Sequence, residues 1–431
     1  MMNESALHIS NLLGEKYYTV HHKSGLDIHI CPKDVSTTMA ALAVNYGGGD
    51  LQFRLDGEEE FTSIPAGVAH FLEHKMFEME NGSDAFDYFA QTGADANAFT
   101  STLMTCYLFT CTEYFEESLE ILLDMVTHPH FTDESVEREK DIIAQEITMT
   151  EDQPGDAIYY GLMEAMYRTN PHRIRVAGTV ESIAGITADT LRRVHRVFYN
   201  LNNMALFVCG NVTPERAIAV ADAVLSTADD VHVVLDRTDE PSNVIHKRFY
   251  REMQVSKPQF CIGVKDTDIS PDPRERMKKQ CVMDIINDVL FSRSSPFRNE
   301  LYEGGLISSS MSYGFTHCLD VSHNILSGES SDPEAVYDRY CAYIKQVKAE
   351  GIDPAAFERC RRVLYANCVS SFDDAQEICH NMMDTILDGE EPFAEPHVIA
   401  SLTVEDANRV LRSVFCEEAT AMAVIAPLTN N

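Results

Sequence analysis

The sequence predicts an α+β fold of two homologous halves, each an antiparallel sheet packed against helices. Strand-like and helix-like segments are mixed rather than strictly alternating, and parts of the sequence recur at a fixed spacing. The 431 residues also exceed what one hydrophobic core usually holds. With 45% hydrophobic and 24% charged residues, the composition is typical of globular domains, which excludes a wholly disordered or fibrous chain.

The first half carries the clearest local patterns. Apolar runs predict strands at 26–31, 38–44, 94–100, 103–112 and 204–209. Helical patterns lie at 65–78, 83–91, 113–127, 133–150, 156–168 and 188–199. Ser63 is the candidate N-cap of the first helix, with Pro65 in its first turn, and Gly93 is expected to end the second. The third and fourth strands are close enough in sequence to form a hairpin.

An internal repeat relates the two halves. Residues 182–187 (SIAGIT) resemble residues 398–403 (VIASLT), which lie 216 positions later. In both copies a helical segment then leads into an apolar strand. Self-similarity at a fixed spacing indicates a duplicated structural unit.

The domain boundaries follow from this repeat and from a polar stretch between its copies. Residues 228–243 include Asp229, Asp230 and Pro241, and they are the predicted linker. The predicted N-terminal domain is therefore 1–227 and the predicted C-terminal domain is 244–431.

Charge, hydropathy and cysteine usage exclude several classes of protein. Lys and Arg total 34 against 68 Asp and Glu, a net charge of −34, so binding to nucleic acid phosphates is excluded. No run approaches the roughly 18 apolar residues of a membrane span, and the polar start does not resemble a secretory signal. The twelve cysteines include no CxxC pair, so we expect reduced thiols and a cytoplasmic location without membrane contact.

A metal-binding pattern lies in the first predicted helix. His70 and His74 are separated by one helical turn and share a face, so both imidazoles can bind one ion. Glu73 lies on the same side, within reach of a water molecule held there. The order H-x-x-E-H is that of inverted zinc peptidases. The pattern also arises by chance in roughly one such chain in twenty, so it does not establish a function alone.

A third protein ligand is expected, because catalytic zinc usually has three and leaves one position open. Glu139 and Glu146 are two turns apart on the helix 133–150 and therefore face the same way. Glu146 lies among three isoleucines, which favours a buried role. Without the histidine pattern, a solvated or salt-bridged helical glutamate would be the expected alternative.

Together these residues resemble the pitrilysin (M16) family of zinc metallopeptidases. His70-Phe-Leu-Glu-His74 is followed 72 residues later by Glu146, as in that family. The segments 93–100 (GADANAFT) and 177–183 (AGTVESI) also resemble family segments, while 74–77 and 291–295 resemble its small bacterial members of the YmfH type. The resemblance covers nearly the whole chain.

The resemblance implies specific roles. His70, His74 and Glu146 would bind one zinc ion per chain, and Glu73 would be the general base. Glu139 would orient a metal ligand, a support that such sites generally need.

The resemblance also implies that Asn97, Ala98 and Phe99 lie on an edge strand that pairs with the substrate backbone. Judged from the residues alone, Asn97 would be a turn residue or a hydrogen-bonded strand residue.

The second half departs from the family pattern. At an offset of 221, Asn367 stands where the first half has Glu146, so no second metal site is expected. Tyr302 and Ser308 stand where self-sufficient members have an Arg and a Tyr that contact the substrate carbonyl. Either Arg298 or Tyr313 substitutes for them, or a partner subunit of the same fold supplies the pair. We favour the partner subunit.

The sequence thus predicts a zinc endopeptidase of peptides or small unfolded polypeptides, acting as the zinc-bearing subunit of a hetero-oligomer. A homodimer is the alternative assembly. The competing functions are a non-catalytic scaffold or partner subunit of the same fold, and a dedicated maturation peptidase for one ribosomally made peptide.

Overall fold

The structure is a computed structural model that describes residues 4–228, 231–236 and 239–428. Asp229 and Asp230 of the predicted linker lie outside the described residues. Across these three ranges, no helix combines the length and the apolar character needed to cross a membrane. All twelve cysteines are free thiols, as the sequence predicts.

The strands are β1 (Glu4–Ser10), β2 (Glu15–His21), β3 (Asp27–Pro32), β4 (Thr38–Val44), β5 (Gln52–Leu55), β6 (Thr62–Ser63), β7 (Asp95–Thr100), β8 (Thr105–Cys111), β9 (Met204–Gly210), β10 (Val233–Leu235), β11 (Arg248–Met253), β12 (Gln259–Lys265), β13 (Ile307–Cys318), β14 (Val321–Ser330) and β15 (Thr420–Pro427). The five strands predicted in the first half correspond to β3, β4, β7, β8 and β9, and the expected hairpin joins β7 to β8.

The helices are α1 (Val68–Lys75), α2 (Ala85–Thr92), α3 (Phe115–Thr127), α4 (Asp133–Glu151), α5 (Pro154–Met166), α6 (Val180–Ala184), α7 (Ala188–Phe198), α8 (Pro214–Val224), α9 (Pro273–Phe291), α10 (Pro296–Glu303), α11 (Pro333–Glu350), α12 (Pro354–Ser370), α13 (Ala375–Leu387), α14 (Glu395–Ser401) and α15 (Val404–Val414). All six predicted helices are present, with shifted ends. Gly93 ends α2 in a left-handed conformation, as expected.

The predicted start of the first helix is wrong. Ser63 belongs to the short strand β6, and the N-cap of α1 is Gly67 instead. Gly67 has φ +97°, and an added Cβ would lie 2.6 Å from the carbonyl oxygen of Ala177. The left-handed conformation and the close approach both require glycine, so tertiary packing sets the start of the helix.

Among the described residues, the two larger of the three sheets share a five-strand topology. The first has the order β1-β2-β3-β9-β4-β8-β7, and the second has the order β11-β15-β12-β14-β13. In each sheet one pair is parallel, β3 with β9 and β11 with β15, and the remaining pairs are antiparallel. The first sheet has two additional strands at one edge. The shared order and pairing confirm the predicted α+β fold of two related halves, although neither sheet is purely antiparallel.

The sequence repeat corresponds to equivalent structural elements. Thr187 caps α7 by accepting a hydrogen bond from the backbone N–H of Thr190, and Thr403 caps α15 in the same way with Asp406. Each helix then leads into the strand that occupies the same place in its sheet, β9 or β15.

The chain forms two compact units that do not follow sequence order. The first unit contains Met1–Thr148, Ile174–Asp236 and Ser370–Leu387. The second contains Met149–Arg173, Arg237–Val369 and Asp388–Asn431.

A helix from each half is therefore packed in the unit of the other half. α13 contacts β4 and β9, and α5 contacts β12 and β15. The predicted boundaries of 1–227, 228–243 and 244–431 do not include this exchange and stay a prediction.

The core of the first unit lies between its large sheet and several helices. Ala40 and Leu42 of β4 pack in this core. Ala41 and Ala43 are also fully buried, but they point to the opposite face, where α13 packs. The central strand β4 is therefore buried on both faces, and it pairs with β8 of the hairpin that borders the candidate site.

Candidate metal centre

Two helices of the first unit bring three metal-ligating side chains together. His70 and His74 lie one turn apart on α1, and Glu146 faces them from α4. One ligand atom of each side chain lies within 4.8 Å of the others, and no other such group of three was found in the described part of the chain. The structure thus brings the three predicted ligands together, although α1 is shorter than predicted.

The spacing of these atoms fits a small cation. Nε2 of His70 is 3.5 Å from Oε1 of Glu146, and Nε2 of His74 is 3.5 Å from Oε2 of the same carboxylate. Nitrogen and oxygen ligands about 2.1 Å from zinc in a tetrahedral arrangement are about 3.4 Å from one another. Two imidazoles with one carboxylate are also a donor set that zinc accepts.

Glu139 orients one of the two histidines. Its Oε1 accepts a hydrogen bond of 2.9 Å from Nδ1 of His74, which leaves Nε2 of that ring directed at Glu146. His70 differs, because its Nδ1 is buried and has no hydrogen-bond partner among the described residues. Among the described residues, therefore, only His74 has a carboxylate at Nδ1, the ring nitrogen that faces away from Glu146.

The site is electrostatically suited to a cation. Burial lowers the pKa of His74, but Glu139, Glu146 and Glu73 raise it more, so the net pKa is above its usual value. The hydrogen bond from His70 holds the pKa of Glu146 below its usual value despite partial burial. Both shifts arise because positive charge is favoured between these carboxylates.

Glu73 has a partner that sequence reasoning missed. The hydroxyl of Thr100, the last residue of β7, donates a hydrogen bond of 2.5 Å to Oε2 of Glu73. Ala96 and Ala98 pack towards the helix-covered core, and Thr100 has the same parity along the strand. This parity is the one sequence signal that could have indicated Thr100.

The strand β7 forms one edge of the large sheet. Only β8 pairs with it, so its outer side has no strand partner within the described ranges. Asn97 is exposed, whereas Ala98 and Phe99 are half-buried. The backbone N–H of Ala98 donates a hydrogen bond of 2.9 Å to Oδ1 of Asn97, so this side chain covers one N–H of the edge strand.

The second unit contains the residues at the altered family positions. Tyr302 is exposed near the end of α10, and Ser308 lies in β13. The hydroxyl of Tyr313 donates a hydrogen bond of 2.8 Å to Asp288, and the guanidinium of Arg298 donates to the carbonyl oxygen of Met311 at 3.5 Å.

The positions that correspond to the metal site also differ in this unit. Cys360, where the first half has Glu139, is buried on α12. Asn367 lies on the same helix, at the position that corresponds to Glu146.

A duplicated α+β fold with two histidines on one helix and a glutamate on the facing helix is typical of metallopeptidases with an inverted zinc motif. Comparison with known proteins points to the same class of metallopeptidase. Residues 62–180 match the family model described as insulinase (peptidase family M16). Residues 185–364 match the model described as the peptidase M16 inactive domain. The chain belongs to the M16 peptidase family.

Similar proteins span nearly the full length of the chain. A protein described as the uncharacterized zinc protease YmfH of Bacillus subtilis (strain 168) is 32% identical over 419 residues, covering 96% of this chain and 97% of the relative. The crystal structure of a putative M16-like peptidase from Alicyclobacillus acidocaldarius matches with a TM-score of 0.93 and 30% identity, covering 97% and 100% of the two chains.

A protease from Helicobacter pylori has the same fold, with a TM-score of 0.83 and 18% identity over 96% of this chain and all of the other. The chain is thus a member of a family whose similar members are named zinc proteases.

Proposed function

We propose that this protein is a zinc-dependent endopeptidase that cleaves peptides or small unfolded polypeptides. His70, His74 and Glu146 would hold one zinc ion per chain. The observation that carries this proposal is the convergence of their ligand atoms at 3.5 Å across two helices. A scaffold without activity would not need Glu139 to orient His74 or Glu73 to lie beside the same group.

When bound, zinc acts as a Lewis acid and lowers the pKa of a coordinated water to about 7. Residues of the protein itself then transfer the proton of the attacking water. Glu73 takes it from the attacking water and delivers it to the leaving amine nitrogen as the C–N bond breaks. Glu139 keeps His74 in the tautomer and orientation that present Nε2 to the metal.

The edge strand β7 is proposed to bind the substrate as an added strand. Asn97, Ala98 and Phe99 would pair with the substrate backbone, and an extended chain is required for such pairing. In the free protein Asn97 Oδ1 already accepts from the N–H of Ala98. A substrate carbonyl oxygen would replace that acceptor, so folded proteins, which do not present an extended backbone, would be poor substrates.

We further propose that the chain is the zinc-bearing subunit of a hetero-oligomer, with a homodimer as the alternative. Tyr302 and Ser308 occupy the family positions of the Arg and Tyr that contact the substrate carbonyl. Arg298 and Tyr313, the candidate substitutes, already bond to groups within the second unit. A partner of the same fold would supply the missing pair. A cytoplasmic location also stays a prediction, supported by the free thiols.

A peptide-library cleavage assay tests the peptidase proposal. We expect internal peptide-bond cleavage that is lost with a chelator, restored by zinc and abolished in Glu73→Gln. Elemental analysis should find one zinc per chain, and none in His70→Ala. Full cleavage by Glu73→Gln would refute the mechanism. Cleavage of a single peptide in the library would indicate the narrower function of a maturation peptidase.

A second assay tests the partner subunit. The purified chain is compared alone and together with an M16 paralogue from the same source. We expect the pair to cleave roughly a hundredfold faster, because oxyanion-stabilising donors contribute about that much. The partner model fails if the single chain is fully active and Tyr313→Phe removes that activity.

A further inference from the structure

We infer that Thr100 is a positioning residue for Glu73 and couples the edge strand to the general base. The inference rests on the proposed peptidase function. Its basis is the hydrogen bond of 2.5 Å from the Thr100 hydroxyl to Oε2 of Glu73. It joins the last residue of the substrate-binding strand to the residue that must move the proton.

The position of the Thr100 hydroxyl is itself fixed. Thr100 lies opposite Thr105 in the register of β7 and β8. The hairpin is closed by a backbone hydrogen bond of 2.8 Å from Ser101 N to the carbonyl oxygen of Met104. A threonine on this frame presents its hydroxyl in one place, because its β-branched side chain has restricted χ1 freedom.

A glycine loop braces the same hairpin. The backbone N–H groups of Gly48 and Gly49 donate hydrogen bonds of 2.9 Å to the carbonyl oxygens of Ser101 and Thr102. A Cβ added to Gly47 would lie 2.4 Å from the carbonyl oxygen of Thr102, so a larger residue would displace the hairpin. The loop that follows the central strand β4 thus fixes the position of the hairpin backbone next to Thr100.

The hydrogen bond gives the two oxygens of Glu73 different roles. Among the described residues, the carboxylate has this one hydrogen bond, at Oε2. Oε1 is therefore the oxygen that can accept the proton from water, and the bond restricts the rotation that would exchange the two. A misplacement of about 1 Å in such a group can cost about a hundredfold in rate.

The position of Thr100 on β7 adds a connection to the substrate. A peptide that pairs with β7 adds backbone hydrogen bonds to the strand that ends at Thr100. Substrate binding would then restrict the strand and, through the threonine hydroxyl, the general base. Catalysis on peptides that pair poorly with β7 would suffer in kcat as well as in KM.

The test compares three variants of the full-length holoprotein. Thr100→Val keeps the β-branched shape but removes the hydroxyl, and we expect kcat to fall about 10- to 100-fold with KM within about twofold. Thr100→Ser restores the hydroxyl and should recover most of the rate. Thr110→Val on the neighbouring strand β8 is the matched control, because Thr110 lies opposite Asp95 at the far end of β7 from Thr100, and it should leave kcat unchanged.

Two further measurements distinguish a loss of Glu73 positioning from a general disturbance of the site. The zinc content and the zinc dissociation constant of Thr100→Val should equal those of the wild type. In the Glu73→Gln background, Thr100→Val should cause no additional loss of the residual rate, because both act on one group. If Thr100→Val does not fold, Thr100→Ala, which also lacks the hydroxyl, carries the same expectation.

The outcomes distinguish this inference from the proposed function. An inactive wild type, or an active Glu73→Gln, would overturn the peptidase proposal itself. An active wild type with an inactive Glu73→Gln and a fully active Thr100→Val would overturn only the role of Thr100. Loss of rate in Thr100→Ser as large as in Thr100→Val would also overturn it.

Discussion

At the scale of single residues, the first unit holds ligating atoms at the spacing of a metal site through a few specific hydrogen bonds. Glu139 contacts Nδ1 of His74, while no described residue contacts Nδ1 of His70. If the pair binds zinc as proposed, this asymmetry would make Glu139 the main determinant of how the histidines are presented to the metal.

Removing Glu139 should weaken zinc binding. In Glu139→Ala, His74 loses its hydrogen-bond acceptor and its preferred orientation, so we expect the zinc affinity to fall about 10- to 100-fold. Competition with a chromophoric chelator at fixed pH measures this. Glu137→Ala, an exposed glutamate on the same helix that pairs with Lys140, is the control and should bind zinc as the wild type does. Equal affinities in both variants would contradict the role of Glu139.

At the scale of elements, the main finding is the exchange of helices between the two halves. Ile378, Cys379, Met382 and Met383 of α13 are buried in the first unit, although they lie in the second half of the sequence. The thiol of Cys379 lies 3.6 Å from the carbonyl oxygen of Phe207 in β9, within the range of a weak hydrogen bond. In the second unit, Leu162 and Met166 of α5 fill the space above Gly263.

The predicted N-terminal domain should therefore not be stable alone. A fragment of residues 1–227 lacks α13 and leaves the apolar face of β4 and β9 exposed, so we expect aggregation or rapid proteolysis. A fragment with residues 370–387 fused through a flexible linker should unfold cooperatively on heating. Circular dichroism and limited proteolysis of both fragments decide this, and cooperative unfolding of 1–227 itself would contradict it.

A buried ion pair fixes the chain after α5 in the second unit. Nζ of Lys265 donates to Glu240 at 2.9 Å, and the carboxylate also accepts from the backbone N–H groups of Arg168, Thr169 and Asn170. Burial raises the pKa of Glu240, but these hydrogen bonds lower it more, to about 2. The folded state therefore favours the ionised carboxylate.

This pair makes unfolding pH-dependent. Because the folded pKa is below the usual value near 4.5, the contribution of Glu240 is complete above about pH 4.5 and is lost as pH falls towards 2. Glu240→Gln should cost about 3 kcal/mol at pH 7, with the difference from wild type shrinking below pH 4.5. Urea unfolding across this range tests it, with exposed Glu303→Gln as the control. A pH-independent difference would contradict the mechanism.

At the scale of the whole molecule, the net charge of −34 has two interpretations. Dispersed carboxylates keep a protein soluble, and this remains the simpler explanation. A strongly acidic surface also attracts cationic ligands over distances comparable to the Debye length. A preference for basic peptides would follow from the second interpretation.

Ionic strength separates the two interpretations. If the charge attracts substrates, kcat/KM for a Lys- and Arg-rich peptide should fall severalfold when the salt concentration rises from about 20 mM to about 300 mM. The reason is that salt at the higher concentration shortens the Debye length to about 6 Å. A neutral peptide cleaved at the same bond should change little. Parallel salt curves for both peptides would leave solubility as the sole role of the charge.

The sequence by itself determined the repeat and most helices and strands of the first half, and it predicted His70, His74 and Glu146 as a group of metal ligands. These features depend on local periodicity: residues one or two turns apart share a helix face whatever the rest of the chain does. Tertiary structure decided the start of α1 at Gly67, the bond between Thr100 and Glu73, and the exchange of α5 and α13. Each of these depends on contacts between residues distant in sequence, which no local pattern specifies.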